Sequence, residues 1–286
     1  RDEAPSAVGY DIPAVVMAAS GYVVSAPDYL GFGGSSGLHP FVHAKTLSGA
    51  VIDMMRALRS WCSTHAINLD GRIFLAGYSE GGYATMAAQR EIETLHAGEF
   101  AITASAPAAG PYDLSGTMLN LALSGAAVPN PYYLPFLLLT YNGIYGLADS
   151  AGQLLAEPYA GSIPPLFDGN HGGGEINDLL PLVPRDFLSP QIAVSPGVPE
   201  PSTLRLLRTA LSENDAYRWT PRSKTRLYHC TGDRDVPYEN AVTAYSYFVE
   251  QGAPDVQLIT PGAVDHRACA LPAFLLIKSW FDSLNQ

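Results

Sequence analysis

No run of about 18 apolar residues occurs anywhere in this chain, so no segment reads as a membrane-spanning helix. Basic residues are scarce. Sixteen Lys and Arg stand against 27 Asp and Glu, a formal charge of −11, which argues against nucleic acid or an anionic membrane surface as partner. Charged residues of both signs make up only 15% of the chain while 47% is hydrophobic, a balance that excludes disorder and allows a large core over 286 residues. There is no signal-peptide pattern, internal repeat or low-complexity tract. The first residue is Arg1 rather than Met, and a processed or trimmed N-terminus is expected. The three cysteines, Cys62, Cys230 and Cys269, fit no zinc spacing.

Against these absences stands one stretch rich in information, Arg72 to Gly82. An apolar β-type run, Ile73-Phe74-Leu75-Ala76, stops at Gly77, and Ser79 follows between Gly77 and Gly81. Tyr83 to Arg90 is then a good helix former. Strand, sharp turn and helix with Gly77-x-Ser79-x-Gly81 at the corner is the layout of a nucleophile elbow. Glycine is expected at both flanking positions because a Cβ at Gly77 or Gly81 would strike a neighbouring strand or helix.

The rest of the chain alternates strand and helix, with one interruption. Residues 11–20 read as a short helix with Asp11 as a possible N-cap, and Tyr22-Val23-Val24-Ser25-Ala26 as a short strand. The glycine-rich loop from Pro27 to Gly34 lacks the G-x-G-x-x-G pattern of a dinucleotide site. Leu47, Val51, Met54, Leu58, Trp61 and His65 recur at three and four residues, an amphipathic helix over 42–65. The elbow helix runs to about His96, and Phe100 to Ala106 is another strand. From Pro111 to about Arg222 the alternation stops, in a part dense in Pro, Gly, Tyr and Leu. It includes the aromatic and apolar run Tyr132–Tyr141, which suits a lid core or a substrate wall equally. Strand Arg226–Cys230, helix Asn240–Glu250, strand Val256–Thr260 and helix Leu271–Leu284 complete the chain. Such alternation predicts an α/β fold with a parallel sheet flanked by helices. The expected division is an α/β core in two parts, 1–110 and 223–286, around an inserted cap, 111–222.

A serine needs a base to take its proton, and a histidine base needs a carboxylate to fix its tautomer. In hydrolases with this elbow the acid and then the histidine follow on later loops. Two loops qualify, Thr231-Gly232-Asp233-Arg234-Asp235 and Ala263-Val264-Asp265-His266. His266, between the last strand and the last helix, is the candidate base. Asp233 and Asp235 both lie where the acid belongs. Cys230 precedes one of these loops and Cys269 follows the other, so a disulfide is expected between them, implying an oxidising compartment; two buried free thiols are the alternative.

Several stretches together give a more specific likeness: Pro27-Asp28-Tyr29-Leu30-Gly31-Phe32-Gly33, His39-Pro40-Phe41, Gly77-Tyr78-Ser79-Glu80-Gly81-Gly82, Ala109-Gly110-Pro111-Tyr112-Asp113-Leu114-Ser115, Asp233-Arg234-Asp235-Val236-Pro237 and Asp265-His266. On these the chain resembles the α/β-hydrolases of the secretory-lipase (fungal lipase A-like) family and their bacterial relatives. The resemblance implies a capped hydrolase fold, a small-molecule or lipid ester as substrate, no cofactor and no metal, and a secreted or periplasmic location. The family's Asp-x-x-Val-Pro pattern selects Asp233 as the acid. The implied activity is ester hydrolysis by Ser79, His266 and Asp233, with the Glu80 backbone N–H in the oxyanion hole. Acyl transfer, peptide cleavage or a silent binding protein of the same fold are the rivals. A second oxyanion donor would come from a loop after an earlier strand; only one strand is readable before the elbow strand, and no such loop precedes Tyr22. The first strands of the domain are therefore expected to lie ahead of Arg1. Asp28 and His39 read as loop anchors, and the Glu80 side chain as a helix-dipole partner without chemistry. Asp168, His171, Glu175 and Asp178 read as turn and capping groups rather than metal ligands.

Overall fold

The computed structural model describes residues 12–285. The predicted cap Asp11 lies outside the described residues. Helix α1 spans Ile12–Ala19, α2 Ala44–Thr64, β1 Phe74–Tyr78, α3 Glu80–Leu95 and β2 Ala104–Ala108. After a long helical stretch come β3 (Lys224–Tyr228), α9 (Glu239–Glu250), β4 (Val256–Ile259) and α10 (His266–Leu284). Within the stretch lie a π-helical turn, Leu114–Met118, and α4 (Leu119–Leu123), α5 (Tyr133–Tyr145), α6 (Tyr159–Ser162), α7 (Gly173–Asn177) and α8 (Ser202–Glu213).

The four strands among the described residues pair in sequence order, β1-β2-β3-β4, and every pairing is parallel. Parallel sheets need both faces covered, and β2 is buried along its whole length. On one face Ala104, Ala106 and Ala108 pack with Ala273, Ile277, Trp280 and Phe281 of α10. On the other face α3 lies across β1 and β2, buried from Gly82 to Gln89. The small side chains Ala84, Ala87 and Ala88 let this helix approach the sheet closely. In a parallel sheet all loops that follow strands leave from one edge, which brings the ends of β1, β3 and β4 together.

Three expectations change. Tyr22–Ala26 is irregular and belongs to no strand. A strand exists only where a neighbour's backbone pairs with it, and among the described residues β1 is the sheet's edge with no ladder to this segment. The apolar Val23 and Val24 are accordingly exposed. The amphipathic helix α2 forms, but it buries Leu47, Ser48, Ile52 and Cys62, while Trp61 is exposed and stacks on His65. The helix surface covers α3, so the buried stripe follows that contact rather than the most apolar residues. Third, a Cβ on Gly77 would indeed overlap the Gly81 carbonyl, but a Cβ on Gly81 would meet nothing within 4 Å. The second sterically required glycine is Gly82, whose Cβ would overlap the Ala108 carbonyl of β2.

That distinction has a measurable outcome. Gly82→Ala should destabilise the fold by about 1–3 kcal/mol through overpacking. Gly81→Ala should be neutral, or stabilising by up to about 1 kcal/mol through helix propensity. Equal losses for both variants in chemical denaturation would contradict the packing described.

The helical stretch between β2 and β3 is fastened to the layer below it. Asn214 accepts from the Ala44 N–H and donates to Tyr145 Oη and the Ala210 carbonyl, while its own carbonyl accepts from Tyr83 Oη. Asp215, also buried, accepts from the Ser115 N–H and hydroxyl and from Arg218. The run Tyr132–Tyr141 forms most of α5, and it serves two purposes at once. Leu138 and Tyr141 are fully buried in the core, while Tyr133, Leu134 and Leu137 face a cavity. Leu134 and Leu138, like Leu137 and Tyr141, are four apart, so one broad helix face is core along one side and cavity wall along the other.

Candidate active site

Ser79 sits between β1 and α3 with φ 58° and ψ −121°, a conformation costly for a residue with a Cβ. Its N–H donates to the Ala108 carbonyl and its carbonyl accepts from the Tyr83 N–H, so both ends of the turn are held. The strained backbone turns Oγ out of the sheet. As first residue of α3, Glu80 has no carbonyl one turn back to receive its N–H, leaving that donor beside Ser79.

His266 opens α10, whose cap is the Asp265 side chain accepting from the Ala268 N–H. The imidazole Nε2 lies 2.8 Å from Ser79 Oγ. Nδ1 lies 2.6 Å from Oδ2 of Asp233. A carboxylate only accepts, so Nδ1 carries the hydrogen and Nε2 is left to accept from the serine hydroxyl. Tyr78 supports the ring from the side and donates its hydroxyl to the His266 carbonyl.

Asp233 and Asp235, two residues apart, occupy different surroundings. Asp233 Oδ1 accepts from the N–H groups of Asp235 and Val236, and Oδ2 faces His266 and His229. Burial pushes its carboxyl up, but the hydrogen bonds from His229 and His266, with the Val236 N–H, outweigh that and hold it below the usual carboxylate range. Asp235 instead accepts from the Asn130 amide. Burial, incompletely offset by Asn130, raises its carboxyl above the usual range.

Two contributors escaped the sequence reading. Fully buried His229 donates from Nε2 to the Val236 carbonyl, 2.8 Å away, and reaches Asp233 at 3.1 Å, bracing the Asp233 loop. Its position one residue before Cys230 was the only available signal. The Glu80 carboxylate is not a free dipole partner. It accepts from the Val42 N–H and meets the buried His39 ring. Cys230 and Cys269 form a disulfide, joining the end of β3 to the first turn of α10. The acidic residues of 168–178 serve turns: Asp168 accepts from the Asn170 N–H and pairs with His171, and Glu175 accepts from the Gly172 N–H. No group of three His, Cys, Asp or Glu suited to a metal occurs among the described residues.

A cavity of about 110 Å³ opens beside Ser79 and His266. Its walls are largely apolar and include Leu114, Met118, Leu119, Leu134, Leu137 and Leu207. Asp235 and Glu80 are its acidic lining residues.

The secretory lipase family model matches residues 4–126. The rice cell wall degrading esterase LipA from Xanthomonas oryzae is 32% identical, with a TM-score of 0.76 over 96% of this chain and 73% of that one. The chain belongs to the secretory lipase family. This chain is a carboxylic-ester hydrolase. A candidate hydrolase from Legionella pneumophila superposes with a TM-score of 0.82 at 27% identity, over 93% of this chain and 71% of that one. Candida antarctica lipase A shares the fold at 19% identity and a TM-score of 0.56, over 86% of this chain and 56% of that one. No curated protein matches the chain in sequence. The lipase fold of these neighbours is the α/β-hydrolase fold.

Proposed function

We propose that this secretory-lipase-family chain hydrolyses carboxylic esters through an acyl-enzyme formed on Ser79. The observation that carries the reading is the continuous line from Ser79 Oγ through both nitrogens of His266 to Asp233, at 2.8 and 2.6 Å. In the first step Oγ attacks the ester carbonyl while Nε2 of His266 takes its proton. Asp233 holds the ring in the required tautomer and stabilises the imidazolium. The tetrahedral oxyanion forms beside the Glu80 N–H, where one such donor is worth roughly 10²–10³ in rate. As the carbonyl re-forms, the C–O bond to the alcohol breaks and the alkoxide leaves with the proton from His266. Water then attacks the acyl-enzyme with His266 as base, releasing the acid and freeing Ser79.

The apolar walls of the cavity suit the acyl group, since a hydrocarbon chain placed there leaves water without stranding a polar wall. Residues 111–222 act in this reading as the cap, because α4, α5 and α8 each supply lining residues. A secreted or periplasmic location fits the disulfide and the family.

A fluorophosphonate probe tests the reading directly. It should form a covalent adduct located on Ser79 by peptide mapping, and Ser79→Ala should abolish both adduct and ester hydrolysis. An unlabelled Ser79 in the protein that hydrolyses esters would overturn the mechanism.

A further inference from the structure

The buried His39 belongs to no part of the mechanism above, yet it contacts the residue that supplies the oxyanion donor. It is 2% exposed and its two ring nitrogens both face acceptors. Nδ1 lies 2.7 Å from the Leu30 carbonyl, which can only accept, so Nδ1 carries hydrogen. Nε2 lies 2.7 Å from Oε1 of Glu80, and a bond at that distance requires a hydrogen between them. Whichever atom holds that hydrogen, the pair carries one proton more than a neutral imidazole beside a free carboxylate. Its net charge is therefore zero.

The surroundings keep the ring in this place. Phe32 stacks on it with centroids 4.1 Å apart, and Tyr29 lies parallel at 5.8 Å. The segment carrying His39 is fastened to α5 as well. Thr140 Oγ1 donates to the His39 carbonyl, and Tyr141 Oη donates to that of Val42, whose N–H reaches the same Glu80 oxygen. The Glu80 carboxylate is thus gripped by two donors from one anchored segment. Glu80 lines the same cavity as Ser79 and His266.

A free carboxylate there would oppose the negative charge that develops on the ester oxygen, because like charges in a site with little water repel strongly. We propose that His39 is a positioning residue for ester hydrolysis: it neutralises the Glu80 carboxylate and holds Glu80 so that its N–H meets the oxyanion. The pair belongs to the catalytic reading of Ser79 and Glu80 given above and rests on it. Its effect falls on the charged transition state rather than on the neutral substrate, so it shows in kcat rather than KM.

A double-variant cycle in the full chain tests this. His39→Leu keeps an apolar side chain against Phe32 but strands the carboxylate, and should lower kcat at least about tenfold with KM changed less than about threefold. Adding Glu80→Gln removes the stranded charge, so His39→Leu/Glu80→Gln should recover most of the loss, with Glu80→Gln alone as the fourth corner. A residue that merely fills space would not be rescued this way. A double variant no faster than His39→Leu overturns the proposal. Where His39→Leu yields no folded protein, His39→Gln gives the same comparison, since its amide keeps bulk and a donor but not the neutralising proton. Fluorophosphonate labelling of the wild type separates the two levels: an unlabelled Ser79 sinks the mechanism itself, whereas a labelled Ser79 with no rescue sinks only the pair.

Discussion

Asp233→Asn is expected to lower kcat by about 10⁴, with the fold intact, while Asp235→Asn should change it by less than about tenfold. An amide at 233 leaves His266 without the acceptor that fixes its tautomer, and Nε2 then no longer accepts from Ser79. The two carboxyls also differ in what they do to stability. Asp233 has a folded pKa below its unfolded one, so its contribution is present above the ordinary carboxylate range and is lost as pH falls through the lowered folded value. Asp235 has a raised folded pKa, so its contribution is present below the unfolded value and lost as pH rises through the folded one. At pH 7 the charged form of Asp235 is therefore a net cost to the fold. Asp235→Asn should raise stability at pH 7, and Asp233→Asn should lower it there and flatten its acid dependence. Steady-state kinetics and denaturant titrations at pH 4 and 7 measure both. Should Asp235→Asn prove the crippled enzyme, the acid has been placed on the wrong carboxyl.

The second large effect concerns the bridge between Cys230 and Cys269, 39 residues apart. Closing a loop of that length in the unfolded chain is worth about 4 kcal/mol. That is a large share of the roughly 5–15 kcal/mol that holds a typical domain together. The Cys230→Ser/Cys269→Ser variant should lose about that much in guanidinium titration. It should also lose activity faster on warming, because the bridge joins the strand end next to the Asp233 loop to the turn that carries His266. Unfolding midpoints that coincide for wild type and variant would show the bridge to be thermodynamically idle.

The parts legible in the sequence were those whose physics is local. The elbow needs a β run, small residues and a helix former in immediate succession, and all three are written between Arg72 and Arg90. The helices α2, α3, α9 and α10 and the strands β1 to β4 follow from periodicity, with boundaries displaced by a few residues. Strand β2 begins at Ala104 rather than Phe100, because its start is set by pairing with Phe74 and not by its own composition. The failures are where a neighbour decides. Tyr22–Ala26 has the composition of a strand and no partner. Gly81 and Gly82 look interchangeable in the sequence, yet only Gly82 faces the Ala108 carbonyl. The choice of Asp233 over Asp235 came from a family pattern, since two carboxyls two residues apart carry no local sign of which one a distant histidine will meet. The link from His39 to Glu80 spans 41 residues and two unrelated motifs, and nothing in either one names the other.

The sheet's sequential order has a consequence for the timing of activity. Ala104 of β2 pairs with Lys224 of β3, so the whole helical stretch must be made before that pairing can form. On a ribosome, or in an export channel that delivers the N-terminal part first, β1, α3 and Ser79 emerge well ahead of β3 and β4. Until those last strands dock, the serine has neither His266 nor Asp233 beside it and is an ordinary alcohol. In the mechanism proposed above, such a chain acquires its hydrolytic activity only once its C-terminal strands are in place.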